Sequence, residues 1–503
     1  MHKRWMSGLM AGAVLIMAAG CGTSGSQQGS ASTASPDAGK PKEPVKLSML
    51  ISGNGVPPAD KNFILQQMKK DLNANIELTA IEAEYDTQLN VKMAGGTPPD
   101  LFAINGVINE TNYAKQGLLL DLSKYLDKLP NIKRLYTEQD FNKGKVDGKL
   151  VTIPARSYAP SDLLFIRQDW LDKLGLPVPK TIEDIKKAAI AFTNNDPDGN
   201  GKKDTYGLTS GAGLGNFRFI FSAFGTSTPG DYMMKDGKLA YTSIMPEMQK
   251  ALEFLHELQS AGALDPEILA NKAIQHREKA YKGQAGMLYT HWSDMYKDEN
   301  MAQILAVNPN AKWTAIETIT GPGGTYMGTY DVTNTPMRTG LSKSLEKNPE
   351  KLDKALELLD YVTDGKGAQL VLYGIEGTHH KMENGKVTIL PAITETNFAF
   401  NMQFTGRDDL AYLKVKFAKH SAYVEMASRV PRILTYSSIV PVPQGVNAGD
   451  KGTFEFEEIV KFIYGKTPIS DFPKFVDTLT KNYNIPLYIQ TAEDTLKSTG
   501  YLK

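Results

Sequence analysis

Oxygen-bearing side chains recur at alternate positions in the segment Asn195-Asp196-Pro197-Asp198-Gly199-Asn200-Gly201-Lys202-Lys203-Asp204. Counting from Asp196, side-chain oxygens fall at the first, third, fifth and ninth places (Asp196, Asp198, Asn200, Asp204). Gly201 supplies the sharp turn, and the Lys202 backbone carbonyl stands at the seventh. A hard cation that takes six to eight oxygens needs this donor spacing, so the segment predicts a structural Ca²⁺ site. Mg²⁺ suits it less, because its tight octahedral shell keeps waters. The bidentate acid usual at the twelfth place is absent, since Gly207 stands there, and another residue or water must complete the shell. Asp, Asn, Gly and Pro also favour plain surface turns, and an Asx-rich turn is the competing reading.

A helix must deliver the chain to this loop. Thr181 and Asp184 have the spacing of an N-terminal capping pair, and Ile182, Ile185, Ala189 and Phe192 make one apolar face. Upstream, strand and helix patterns alternate. Val45–Ile51, Ile76–Ile81 and Asp100–Ile104 read as strands, with helices near Phe63–Leu72 and Tyr85–Met93 between them. That order predicts a mostly parallel sheet with right-handed crossovers. Asp147-Gly148 predicts a hairpin turn before Leu150–Ile153. Pro246 opens a further helix lined by Met248, Leu252, Leu255 and Leu258 and closed by Gly262. Another carries Leu352, Ala355, Leu356, Leu359 and Val362.

The amino terminus carries a different kind of chemistry. Lys3 and Arg4 precede an apolar run, Leu9–Ala19, too short to span a bilayer, and then Gly20-Cys21. That layout is a secretory signal. Cys21 is the single cysteine in 503 residues and has no disulfide partner in the chain. Ala18-Ala19-Gly20-Cys21 resembles the bacterial lipobox, with Ala18 where that pattern prefers Leu. The resemblance implies cleavage after Gly20 and a lipid on Cys21, whose acyl chains, palmitate among them, anchor the protein in the bilayer. The Gly/Ser/Ala/Gln-rich stretch that follows, 22–40, reads as a flexible linker with a root-mean-square reach of roughly 25 Å.

Loss of residues 1–20 removes Lys3 and Arg4 and leaves 54 basic against 56 acidic side chains. No basic stripe marks a nucleic-acid surface. A chain this long, without disulfides, must be held by buried core, and it has room for two or three domains.

Several segments in succession match one family. Lys92-Met93-Ala94-Gly95-Gly96-Thr97-Pro98-Pro99-Asp100-Leu101, Asp121–Leu126, Gly148–Pro154, Ile166–Gly175 and Gly286–Tyr289 resemble, in order, segments of family 1 extracellular solute-binding proteins. The nearest types are the long Gram-positive sugar-binding lipoproteins and the alginate-binding proteins. In the latter an acid follows the ninth-place Asp of the loop, where this chain has Thr205.

The resemblance implies an α/β, two-lobed periplasmic-binding-protein-like fold (type II) with a hinge between discontinuous lobes. It divides the chain into a signal (1–20), an anchor and linker (21–44), a first lobe (45–155 plus 316–372) and a second (156–315 plus 373–503). It also implies a monomer that binds an oligosaccharide between the lobes and delivers it to the permease subunits of an ABC importer. The work would be done on the outer face of the cell membrane in a Gram-positive host, or in the periplasm of a Gram-negative one.

Aromatic faces and hydrogen-bonding side chains hold sugars, and cationic groups hold acidic ones. Trp292, just past the strand-like Gly286–Tyr289, and Tyr330, in a Gly-rich stretch, are candidate ligand residues. Arg156 and Tyr158 near the first crossover, Asn105 at a strand end, and His379 of His379-His380 are others; for each, a solvated loop position is the plainer reading. The paired histidines have no third metal ligand at useful spacing. No Gly-x-Ser-x-Gly elbow or His-Glu-x-x-His helix is present. A non-enzymatic binding protein is therefore expected. A secreted polysaccharide-degrading lipoprotein, or a binder of peptide or another solute on the same fold, are the alternatives.

Overall fold

A computed structural model describes residues 43–272 and 274–503. Cys21 and the linker lie outside the described residues. Pro44–Lys503 forms one compact unit.

Its first sheet has the order Ala74–Ile81, Val45–Ser52, Leu101–Ile104, Arg338–Leu341, Thr152–Pro154. The first three strands run parallel, with Val45 opposite Ala74 and Met49 opposite Leu101. Arg338–Leu341 enters antiparallel to both of its neighbours. The expected parallel arrangement thus holds for the amino-terminal three strands and ends where a distant piece of chain returns.

The second sheet is mainly antiparallel, in the order Trp313–Ile316, Asp162–Arg167, Ala285–His291, Tyr206–Leu208; only the last pair is parallel. Asp162–Arg167 is buried along most of its length because sheet neighbours and helices cover it. A third sheet joins Lys238–Tyr241, Tyr232–Lys235, Ile433–Thr435 and Thr329–Asp331.

Local chemistry explains the helices. Thr181 accepts from the Asp184 amide while the Asp184 carboxylate accepts from the Thr181 amide, so both ends of the capping box form ahead of Ile182–Asn194. That helix buries Ile182, Ile185, Ala189 and Phe192, the face read from the pattern. The hairpin at Asp147-Gly148 is present, with φ of 48° and 76° at its two central residues, as a type I′ turn requires.

Two large apolar cores result, one under each of the first two sheets. Their membership moves the expected lobe limits. Phe398, Ala399, Met402 and Phe404 pack in the first core, although they lie past residue 373. Met327 packs in the second core and Thr329–Asp331 pairs with Ile433–Thr435, although both follow residue 316. The chain therefore passes between cores near 155–161, 332–337, 371–373 and 404–409, as well as along the 3₁₀ helix Pro391–Met402, where Ile393 belongs to the second core and Phe398 to the first.

Candidate binding site

A cavity of about 390 Å³ opens where these crossings meet the second and third sheets. It lies where Asp162 starts its strand opposite His291 and runs along Thr329–Asp331 beside Ile433–Thr435. The wall is polar: Tyr158, Asp162, Arg218 and Tyr330 face it, with Asp331 and Ser438 behind.

Much of the wall is fixed by its own hydrogen bonds. Asp331 Oδ2 accepts from the Ser437 and Ser438 amides at 3.1 and 2.8 Å and from Ser438 Oγ at 2.7 Å. Its Oδ1 accepts from the Thr333 amide and hydroxyl. This carboxylate has no acceptor capacity to spare and braces the 435–438 turn. Asp231 accepts from Thr228 Oγ1 at 2.6 Å and Ser437 Oγ at 2.9 Å, and burial pushes its carboxyl above the usual range. Arg432 donates to the carbonyl oxygens of Ala427 and Asp162, both at 2.6 Å, tying a helix end to a strand start.

Two charged groups are left free to serve a ligand. Arg218 Nη1 stands 3.9 Å from Asp162 Oδ2, too far for a hydrogen bond, and the two side chains are 44% and 33% exposed. A guanidinium offers donors and a carboxylate offers acceptors. Side by side they match a pair of neighbouring hydroxyls, each of which donates once and accepts once. Aromatic surface comes from Tyr158 and Tyr330, whose hydroxyl donates to the Tyr158 carbonyl at 2.8 Å.

The crossing under the cavity is held from a third direction. The Ala159 amide donates to Asp409 Oδ2 at 2.9 Å, while Arg407 binds Asp409 and lays its guanidinium 4.7 Å from the centre of the Tyr158 ring. Gly406, at φ +71°, passes so close that a Cβ there would stand 2.5 Å from the Arg156 nitrogen.

Of the residues expected to meet ligand, Tyr158 and Tyr330 line this cavity. Asn105 is exposed at the carboxyl end of a first-sheet strand, stands before Gly106–Lys115 without a side-chain capping bond, and donates to Asp86 Oδ1 at 3.0 Å. Arg156 lies on the crossing but outside this wall, and its Nε is buried without a partner. Trp292 is a correction. It opens the short helix Trp292–Tyr296, which turns the indole inward until 1% is exposed, edge-on to Phe417 at 5.4 Å. His379 is a second correction. Its ring stacks on Phe63 at 4.7 Å, 2% exposed, and Nδ1 accepts from the Ile375 amide.

Asp162 and Arg218 were not singled out from sequence. The signal was there in a weak form. Each is a lone charge at the edge of an apolar run, Asp162 before Leu163-Leu164-Phe165 and Arg218 between Phe217 and Phe219.

The loop of Asp196 to Asp204 closes on its own amides. Asp196 accepts from the Gly199, Asn200 and Gly201 amides, each at 3.1 Å. Asn200 Nδ2 donates to Asp198 at 2.8 Å and to Asp204 at 3.2 Å, and Asn200 Oδ1 accepts from the Lys202 amide. Among the described residues no group of three or more His, Cys, Asp or Glu side chains is arranged to hold a metal ion. No described helix is long and apolar enough to cross a membrane.

Two core-bearing lobes joined by several crossings, with a polar cavity at the crossings, define a two-lobed α/β binding protein. The sequence model of the bacterial extracellular solute-binding proteins matches residues 54–369, and the chain belongs to that family. Its relatives are binding proteins, not enzymes. The fructooligosaccharide ABC transporter substrate-binding protein FusA of Streptococcus pneumoniae is 27% identical over 304 residues, 56% of this chain and 55% of that one. The match thus spans about half of that relative's length. Lipoprotein LipO of Bacillus subtilis is 26% identical over 440 residues, 84% of this chain and 82% of LipO. The solved structure of FusA in complex with kestose superposes with a TM-score of 0.70 at 19% identity, covering 91% of this chain and 99% of that one. A FusA structure with fructo-nystose, described as an EF-hand mutant, gives 0.68 at 20% identity, covering 91% of this chain and 100% of that one. These likenesses show the shared fold.

Proposed function

We propose that this protein binds an oligosaccharide in the cavity between Tyr158, Tyr330, Asp162 and Arg218 and delivers it to the permease subunits of an ABC importer. The observation that carries the reading is the Asp162–Arg218 pair, open to solvent at 3.9 Å beside two tyrosine rings. Neighbouring hydroxyls meet the pair and C–H faces of the sugar meet the rings. With Asp331 and Arg432 spent on backbone groups, the free charges balance, and a neutral sugar fits better than a uronic one. The fructooligosaccharide named for FusA supports that class.

A lipid on Cys21 would hold the protein at the outer membrane surface, and the name of LipO supports an anchored form. A structural Ca²⁺ in the Asp196–Asp204 loop is part of the same proposal, with Asp196, Asp198, Asn200, the Lys202 carbonyl and Asp204 as ligands. The donors are hard oxygens. Burial and a shared hydrogen bond with Asp196 push the Asp198 carboxyl up, so a proton or a cation is favoured between the two. A half-turn of the Asn200 amide would present oxygen to Asp198 and Asp204. The EF-hand named for FusA supports the assignment.

Calorimetric titration with a panel of neutral and uronic oligosaccharides tests the function. Binding of a neutral member without release of product, weakened ten- to a hundredfold in Asp162→Asn or Arg218→Gln, is expected; each variant removes about 1–3 kcal/mol of charge-assisted bonding. Full affinity in both variants would remove the cavity from consideration.

A further inference from the structure

A second cavity, of about 210 Å³, lies where the turn after the helix Asp409–Lys416 meets Pro391–Met402 and the start of Asp298–Val307. Lys416, Lys297 and His420 face it, with Ile393 and Phe417 as the apolar lining; Asp298 and the exposed Glu299 form the rim. It shares no residue with the sugar cavity.

Lys416 is the unusual member. It is 7% exposed, and its ammonium makes one long hydrogen bond, 3.4 Å to the Thr396 carbonyl. An ammonium carries three donors. Its other neighbour is the Tyr412 ring, 5.5 Å away. Among the described residues it forms no ion pair, and neither does Lys297, which rests 5.3 Å from the centre of the Phe417 ring. Of the two carboxylates that line the cavity, Asp298 is already paired with Lys419 at 2.7 Å and lies 4.0 Å from His420 Nε2.

Burial pushes the Lys416 ammonium down to about 7, and the positive charges of Arg407 and Lys297 add to that effect. A buried ammonium with unused donors and only positive neighbours is costly, unless an anion neutralises it. Salt screens a charge this buried less than an exposed one.

We propose that this cavity binds a small oxyanion of the phosphate class, with Lys416 and Lys297 donating to its oxygens and His420 closing the third side. The ion neutralises the charge beside the Thr396 carbonyl, on the segment that runs from one core to the other. The same chemistry is offered by free phosphate and by a phosphomonoester on a sugar.

The test is the melting temperature of the full chain against inorganic phosphate or glucose 1-phosphate, with ionic strength held constant by chloride. Saturable stabilisation of the parent is expected. Lys416→Met, which keeps the volume, should melt higher than the parent without phosphate and show no phosphate response. Lys297→Gln should raise the half-saturating concentration about tenfold. A lower half-saturating concentration for glucose 1-phosphate assigns the ion to a phosphorylated sugar, and the reverse order assigns it to free phosphate; both uphold the site. A parent that responds to neither beyond chloride, or an equal response in Lys416→Met, overturns it. Sugar titration of the same variants should be unchanged, so failure here leaves the sugar cavity standing.

Discussion

The hydroxyl of Tyr330 donates to the carbonyl oxygen of Tyr158 across 2.8 Å, joining a strand of the third sheet to the first crossing between lobes. A contact at that place does two jobs. It holds two aromatic rings at the edge of the proposed sugar cavity and ties the crossing to the third sheet. Tyr330→Phe keeps the ring and loses the bond. Stability should fall by about 1 kcal/mol, while affinity for the bound oligosaccharide falls severalfold through a faster dissociation rate; surface plasmon resonance reads the rate and chemical denaturation reads the stability. An unaltered dissociation rate would show that the bond plays no part in closure.

Trp292 gives the opposite expectation. Because its indole is in the core, Trp292→Ala should cost about 3–5 kcal/mol of stability. Trp292→Phe, folded by circular dichroism, should bind sugar with the affinity of the parent. A tenfold loss of affinity in Trp292→Phe would return this residue to the binding site.

For the loop, calcium should raise the melting temperature of the parent and leave the double variant Asp196→Asn, Asp198→Asn unmoved. Without calcium the two proteins should melt within a degree or two of each other, since the loop is surface turn. Equal calcium responses would rule the ion out.

Lys416 makes a pH prediction. In the unfolded chain its ammonium keeps its proton to pH about 10.5, and in the folded chain it loses it near 7. Between those limits the unfolded chain holds more protons, so this group makes stability rise with pH across that window. Below pH 7 the full penalty applies, on the order of a few kcal/mol. The charges facing it are Arg407 and Lys297; the Tyr412 hydroxyl, pushed up to about 12, stays neutral throughout. Lys416→Met should therefore exceed the parent in stability at pH 6 without phosphate and match it by pH 10.5. A difference that does not change with pH would place the lysine's proton elsewhere.

What was legible in the sequence was local. The Thr181–Asp184 cap, the Asp147-Gly148 hairpin and the first three parallel strands depend on neighbours a few residues apart or on plain periodicity, and each formed as read. Trp292 shows the limit. Its position after the strand Ala285–His291 was correct, but one helical turn decides whether the ring faces a cavity or a core, and Phe417, more than a hundred residues on, decides that turn. Asp162 and Arg218 are of the same kind. Their pairing joins a strand start to a helix start 56 residues away, which no spacing reveals. Tyr158 and Tyr330 line the cavity because they flank the crossings, where the chain must pass near it.

The strand Arg338–Leu341 stands between Leu101–Ile104 and Thr152–Pro154. A ribosome releases residue 104 long before residue 338, so the first sheet waits, with an open edge, for most of the chain to be made. The second sheet draws all its strands from 162–316 and has no such wait. The second sheet can thus pair its strands before the first does, although its core also takes in residues as late as Leu496. The edge of Leu101–Ile104, buried on both faces in the finished protein, is then an exposed apolar strand edge in any chain that ends before residue 338.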